Sequence, residues 1–494
     1  MSARELEFKF AAPRAAVEAA FGERLAGAEL KDLRAVYFDT PSFDLRRKDL
    51  SLRLRCEAGR WVQTLKQGPG SVSRREDETA ASGPRLQLER LSDQALQSHL
   101  TALKDDLRPV FETHVRRKVF ILESGGARIE AAFDEGEVRA GAERDEISEL
   151  ELELKAGSAA ALIEAARRVA ATPGFRLALA TKASRGYALA GGHDNGAVAF
   201  RYPALSPKMS AQEGLQGLIS ATLTHFEANA SRAAADTTPE TVHQARVALR
   251  RLRVFIGAFP DVLADDALAS VEQTLRRLGE VTADARSLDV FAAETFRPYV
   301  GHEPGAAALG AALLVAREQA RERLRARFAA AELNQALLDL IDWSLDGAWT
   351  RDPLTVAAGE RPLSKAAAQA LGHRLKVMTK RGLRLDWHDP LARHKLRIQA
   401  KKARYLVEAF PFAAADFPVA MLKGLQDGLG ELNDIAVAGA ALDLVRRENP
   451  RDPDLTFAAG LAIGRRQAGV AKLIKRSRRA FEAFTEALKA GALT

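Results

Sequence analysis

Charged and apolar residues that alternate at a spacing of two set the strongest limit on what this chain can fold into. In residues 4–10, Glu5, Glu7 and Lys9 alternate with Leu6, Phe8 and Phe10. Side chains of a strand alternate faces, so the charges share one side and the apolar groups the other. A single such strand is usually a solvated sheet edge, but here the pattern recurs. Arg53 and Arg55 oppose Leu50, Leu52, Leu54 and Cys56, and Glu149, Glu151, Glu153 and Lys155 form a row with leucines between them. Thr64 with Lys66, Arg74 with Glu76 and Glu78, Arg117 between Val115 and Val119, and Glu130 with Asp134 extend the pattern. The apolar faces need cover, and residues 13–25, 92–107 and 158–171 read as amphipathic helices able to give it. The charged faces then point inward, and an antiparallel β-barrel with a lumen of carboxylates and cations is the expected fold of this part.

The same residues carry a resemblance. Glu5, Glu7 and Lys9 form a Glu-x-Glu-x-Lys signature at the N-terminus. It is followed in order by Tyr37-Phe-Asp-Thr40, Leu52-Arg-Leu-Arg55, Thr64 and Lys66, residues 74–78, Thr113 and Arg117, Asp134-Glu-Gly136, residues 149–157 and residues 182–187. This ordered set resembles the CYTH family, the triphosphate tunnel metalloenzymes, over residues 1–197. The resemblance implies a tunnel in which Glu5, Glu7, Glu151 and Glu153 hold Mg²⁺ or Mn²⁺, with Glu149, Glu130 and Asp134 as further candidates. It implies that Lys9, Arg53, Arg55, Lys66, Arg74, Arg117, Lys182 and Arg185 hold phosphate oxygens. Lys9, Glu5 and Glu7 are the expected catalytic group.

At 494 residues the chain is too long for one core, and length suggests about three domains. Its net charge of +8 is unevenly spread. Residues 1–200 contain 31 Lys and Arg against 31 Asp and Glu, so the whole excess lies beyond them. A basic second half points to a polyanionic partner. The cluster of glycine and asparagine at 191–196 reads as the linker, and from 206 onward the apolar spacing is helical throughout. The start lacks an apolar leader, and the longest apolar run, 306–316, is too short to span a bilayer, so a cytoplasmic location without a membrane span is expected. The single cysteine, Cys56, excludes an internal disulfide and reads as a small core residue.

The helical half repeats itself at an offset of 151. His243, Arg246, Arg250, Arg253 and Phe259-Pro260 align with His394, Arg397, Lys401, Arg404 and Phe410-Pro411. Each set falls on one side of a helix, where like charges four apart repel. A solvated basic face is the plain reading, and recurrence at identical spacing argues against it. The repeat resembles a CHAD domain over 206–490, with two repeated helical bundles at about 206–350 and 360–490. Leu288-Asp289-Val290 and residues 432–435 resemble that family's acidic turn. The resemblance implies a groove for inorganic polyphosphate, with polyphosphate granules as a place where such a protein could gather, and fusion of CYTH to CHAD is a recurring bacterial arrangement.

The expected activity is therefore divalent-metal-dependent hydrolysis of inorganic tripolyphosphate to diphosphate and phosphate, with long-chain polyphosphate held by the helical half. Two other readings stay open: a non-catalytic polyphosphate-binding protein, and an ATP-using activity like that of class IV adenylate cyclases. Only 6% of residues are aromatic, which gives the cyclase little with which to stack a base. The basic stripes carry no interleaved aromatics and match no groove-reading motif, so no specific nucleic-acid partner is expected.

Overall fold

The computed structural model describes residues 4–68, 72–191, 196–299, 305–414, 417–447 and 452–490, and the side chains of Arg4, Glu5, Ser73 and Arg74 lie outside that description. Part of the expected linker, 192–195, also lies outside the described residues. The chain divides into two compact units. The first is Met1–Ala204 with Gln216–Ser231 and Ala329–Gly347, and the second is Leu205–Leu215 with Arg232–Phe328 and Ala348–Thr494.

The first unit runs β1 (Arg4–Ala11), α1 (Arg14–Ala26), β2 (Glu29–Asp39), α2 (Asp44–Arg47), β3 (Leu50–Glu57), β4 (Arg60–Gln67) and β5 (Ser73–Ala81). It continues through α3 (Gln94–Ala102), β6 (Arg108–Ser124), β7 (Ala127–Ala140), β8 (Glu143–Ala156), α4 (Ala159–Ala171), β9 (Arg176–Leu177) and α5 (Lys182–Ala190). The helix expected at 92–107 is thus shorter: Asp93 caps it by accepting from Ala95 and Leu96, and it ends at Ala102. The strands form one sheet, β5-β4-β3-β2-β6-β7-β8-β1-β9, antiparallel at every pairing. A closed barrel was expected, and the sheet is not closed into one: among the described residues β1 and β5 pair over a short stretch, Arg4 with Arg75, Glu5 with Arg74 and Leu6 with Ser73, and the Glu7 amide donates to the Val72 carbonyl at 2.9 Å.

Register explains why the charges gather. Directly opposed residues share a face, and Lys9 opposes Glu151, Glu151 opposes Ala132, Glu149 opposes Asp134, and Asp134 opposes Arg117. The charged face is not charged throughout. By strand parity Val115, Val138 and Ile147 lie on the same face as Arg117, Asp134 and Glu149, and with Tyr37 and Phe111 they form an apolar cluster closed by Tyr187 and Leu189 of α5. The opposite faces of β3 and β4 pack Leu50, Leu52 and Leu65 against Leu88, Leu91 and Leu100. One end of the polar face is therefore filled by a helix and the remainder is left charged.

All other described elements are helical. They are α6 (Ala211–Ala235), α7 (Pro239–Ile256), α8 (Leu268–Val281), α9 (Ala283–Val290), α10 (Ala306–Ala329) and α11 (Ala331–Asp346). After these come α12 (Pro353–Gly359), α13 (Leu363–Leu383), α14 (Pro390–Ala409), α15 (Val419–Arg446), α16 (Pro453–Gln467) and α17 (Val470–Lys489). The middle of α6 and all of α11 belong to the first unit. Helix α7 starts with a Thr238–Thr241 capping box and Pro239 in its first turn, and α14 starts with an Asp389 cap and Pro390, the start signals the sequence carries. The acidic turns expected at Leu288-Asp289-Val290 and 432–435 are not turns. The first triplet closes α9 and the second lies inside the unbroken α15, because no proline interrupts it and Leu432 and Ile435 are buried, keeping a helical stripe in the core.

Gly186 in α5 lies so close to Phe111 that a Cβ would stand 2.1 Å from the ring. Phe111 is itself pinned by stacking on Tyr37 at 4.4 Å and by the edge of Tyr187 at 5.0 Å. Gly186→Ala is expected to destabilise the first unit by about 1–3 kcal/mol through overpacking. Gly372→Ala in α13, where nothing lies within 4 Å, is expected to stabilise by up to about 1 kcal/mol. Urea unfolding midpoints of the two variants check both signs.

Candidate active site

The polar face of the first unit lines a cavity of about 220 Å³. Its wall carries eight Lys or Arg side chains and seven Glu, so its fixed charge nearly cancels. Three carboxylates, Asp134, Glu149 and Glu151, are buried with one oxygen of each within 4.8 Å of the others. Such a group is bearable only with compensating charge. Lys182, on the first turn of α5, supplies it from 2.6 Å of Asp134 and 2.8 Å of Glu151, and also pairs with Glu149. Arg117 donates to both oxygens of Asp134 at 2.7 and 2.6 Å and reaches Glu151 as well. Lys9 pairs with Glu7 and lies 3.3 Å from Glu151.

This mutual support moves the titrations. Burial pushes the Glu151 carboxyl up, but Lys182, Lys9 and Arg117 outweigh it and hold the group well below its ordinary value of 4.5. Burial likewise opposes the charge of Lys182, yet Asp134, Glu149 and Glu151 raise its pKa well above normal. Arg117 follows the same logic: burial lowers and Glu151 and Asp134 more than restore.

A second group of cations faces a sparser set of acids. Arg53 stands 3.8 Å and Lys66 3.4 Å from Glu76, and Arg55 bridges to Glu78 at 2.8 Å. Glu130 and Glu153 share Lys155 at 3.6 and 2.7 Å on the more exposed part of the wall. Thus Glu7, Glu130, Glu151 and Glu153 line the cavity, whereas Asp134 and Glu149 lie behind it. Arg185 does not line it: its guanidinium is taken by Asp145 at 2.6 Å and by the Glu146 carbonyl. Glu5 and Arg74 have side chains outside the described residues. Tyr37 is a wall residue that strand alternation did not mark as polar. Its hydroxyl accepts from Arg53 at 3.5 Å, and although burial raises its pKa, Arg53 above all, then Lys182 and Lys66, bring it below the ordinary value. The Tyr37-Phe-Asp-Thr40 motif was its available signal.

In the second unit the two basic stripes sit on α7 and α14. Arg246 donates to the Gly279 carbonyl, in the last turn of α8, at 3.0 Å and to Thr282 at 2.9 Å, and Arg253 donates to the Leu275 carbonyl further back in α8. His394 pairs with Asn433 of α15. Lys401 is pushed down to about 6 by burial and then by Arg250, Arg397 and Arg404. His243 is pushed down to about 4 by burial and Arg286, with Arg250 and Lys401 adding to the effect. The cations of the two helices thus feel one another as a single basic group. Burial above all, and then these neighbours, keep His243 neutral at the ordinary histidine pKa of about 6.5. Arg286 belongs to this group and carried no stripe signal, because it is on α9.

A CYTH domain model matches residues 3–187 and a CHAD domain model matches residues 217–443. An inorganic triphosphatase from Haemophilus influenzae is 30% identical over 156 residues, which are 31% of this chain and 44% of that protein. The chain therefore spans less than half the length of the curated relative it matches. The crystal structure of the CHAD domain from the plant Ricinus communis aligns with a TM-score of 0.51 at 24% identity, over 58% of this chain and 96% of that one, a likeness of fold.

Removing the Lys182 charge leaves three buried carboxylates with too few partners. Lys182→Met is expected to destabilise the first unit by about 3–5 kcal/mol at pH 7. The sign with pH follows from Glu151: its lowered pKa contributes stability that is complete above its ordinary 4.5 and is lost as pH falls through the folded value. The gap between wild type and Lys182→Met in urea midpoints should therefore narrow in acid.

Proposed function

Given a chain that joins a CYTH domain to a CHAD domain, we propose that its first unit hydrolyses inorganic tripolyphosphate with a divalent cation and that its second binds polyphosphate. The observation that carries the reading is the near-balanced wall of eight cations and seven carboxylates around one small cavity. A linear triphosphate brings a charge of about −4 to −5 near neutral pH, which such a wall cannot neutralise alone, so a companion cation is required. The twin stripes on α7 and α14 support two repeated bundles.

The donor set suits a hard, oxygen-ligated ion such as Mg²⁺ or Mn²⁺. Glu151 with Asp134 and Glu149 would hold it, together with Glu7 and Glu5. When bound, the ion polarises phosphoryl oxygens and lowers the pKa of water. The chain's own cations do the rest. Arg53, Arg55 and Lys66 lie together on β3 and β4 and grip one end of the substrate, while Lys9, Arg117 and Lys182 meet the other. Water adds to the terminal phosphorus, the bridging P–O bond breaks, and diphosphate leaves with the bonding electrons, its charge met by the fixed cations. No side-chain nucleophile is needed. Among the described residues lining the cavity, Tyr37 is the one aromatic, and its stacking on Phe111 leaves it unsuited to hold adenine, which disfavours cyclase chemistry.

The full-length protein should release phosphate from tripolyphosphate with Mg²⁺ or Mn²⁺ and stop when a chelator is added. Glu151→Gln should lower turnover about a hundredfold or more. Equal rates in wild type and Glu151→Gln, or faster formation of cyclic AMP from ATP, would sink the reading.

Polyphosphate binding by the second unit should fall steeply with salt. The pair Arg250→Glu with Lys401→Glu should weaken it far more than Arg478→Glu, whose arginine sits in an exposed bridge to Glu482. Because Lys401 is held near 6 and only its charged form attracts anions, affinity should rise as pH falls from 8 toward 5. Equal losses from the pair and the control would mean that net charge alone holds the ligand.

A further inference from the structure

The short strand β9 pairs with β1 on one side, where the Ala178 amide donates to the Lys9 carbonyl at 2.9 Å. Amides of a strand point alternately to its two sides, so those of Leu177 and Leu179 face away from β1. An edge left so would bury donors without partners at a cost of about 1–3 kcal/mol each. Neither is left open. The Leu177 amide donates to Asn334 Oδ1 of α11 at 3.0 Å, and the Leu179 amide donates to Glu227 Oε2 of α6 at 3.0 Å. Both acceptors are buried, Asn334 at 5% exposure and Glu227 at 4%.

Each acceptor is itself held. Asn334 Nδ2 donates to the carbonyls of Ala170 at 3.2 Å and Phe175 at 2.9 Å, and Ser231 donates to Glu227 Oε1 at 2.6 Å. Arg167 of α4 ties the same face of α11 through Asp342 at 3.1 Å and Asp339. Two residues after Leu179, Thr181 opens α5 with a capping box to Ser184, and the next residue is Lys182. The backbone therefore has little slack between the two held amides and the ammonium that compensates Asp134, Glu149 and Glu151.

We propose that Glu227 and Asn334 are positioning residues of the candidate active site: as side-chain stand-ins for an outer strand they fix β9, and through it the placement of Lys182 in the carboxylate group. They come from Gln216–Ser231 and Ala329–Gly347, segments beyond residue 197 that nevertheless belong to the compact unit of the sheet. A tunnel cut off at 197 lacks both. The consequence for turnover rests on the triphosphatase reading, but the placement of Lys182 does not.

The test uses the full chain and two readouts. In the first, Lys182 is acylated with acetic anhydride and followed by mass spectrometry. Glu227→Ala with Asn334→Ala should speed its labelling at least tenfold, while Glu227→Gln, which keeps an acceptor oxygen for Leu179, should label as wild type does. Unchanged labelling in the double variant overturns the proposal whether or not the protein is an enzyme. In the second, tripolyphosphate turnover is compared in two backgrounds. The double alanine variant should lose at least tenfold in kcat on its own, yet less than twofold when added to Lys182→Ala. Losses that multiply would show that the two residues act other than through Lys182, and would overturn it. A wild type without triphosphatase activity counts against the proposed function and leaves the labelling result to decide this one.

Discussion

Compensation of buried charge on one face of a sheet is the constraint on which the first unit depends. Asp134, Glu149 and Glu151 cannot sit together in a low-dielectric wall unless cations reach them, and Lys182, Arg117 and Lys9 come from three separate elements to do so. The strands set the face through register, but they do not complete it. Lys182 arrives on a helix that follows the sheet, so the packing of α5 against Phe111 and Tyr37 is also a condition for the electrostatics.

That dependence gives the apolar end of the polar face its meaning. Val115, Val138 and Ile147 share strand faces with charged residues, an arrangement that would waste apolar area if the face were open to water. Helix α5 covers them and presents Lys182 at the boundary between apolar and charged surface. Structure and chemistry therefore use the same helix. The same economy marks Asp39, which accepts from the amides of Leu45 and Arg46 and from the Tyr187 hydroxyl at 2.9 Å, joining α2 and α5 to the end of β2.

The second unit poses the opposite problem, since its cations outnumber their acids. Arg250, Arg397 and Lys401 repel one another across α7 and α14, and burial together with that repulsion pushes the pKa of Lys401 down. Fixed like charges of this kind are poor for stability and become favourable once an anion lies among them. Part of the α7 stripe is diverted to architecture, with Arg246 and Arg253 bonded to carbonyls of α8. A stripe read from helical spacing thus mixes side chains bound to a neighbouring helix with ones that stay in the basic group.

Much of this was legible in the sequence because it is local. Period-two alternation gave the strands and their charged face, capping residues and 3.6-residue spacing gave the helices, and repetition at a fixed offset paired α7 with α14. The sequence could not show where β1 and β5 would pair, that Ser158-capped α4 and α11 would bind one another, or that Asp134, Glu149 and Glu151 would draw into one buried group. Nor could it separate Arg185, spent on Asp145, from Lys182, which faces the cavity. The acidic motifs read as turns became helix, because a short polar motif does not stop a helix whose buried stripe continues through it. Spacing along one element fixes which side chains share a face. Which faces then meet, and which charges find each other, depends on contacts between residues far apart in the chain, such as Leu179 with Glu227, 48 positions away, and Leu177 with Asn334, 157 positions away, and those only the folded chain decides.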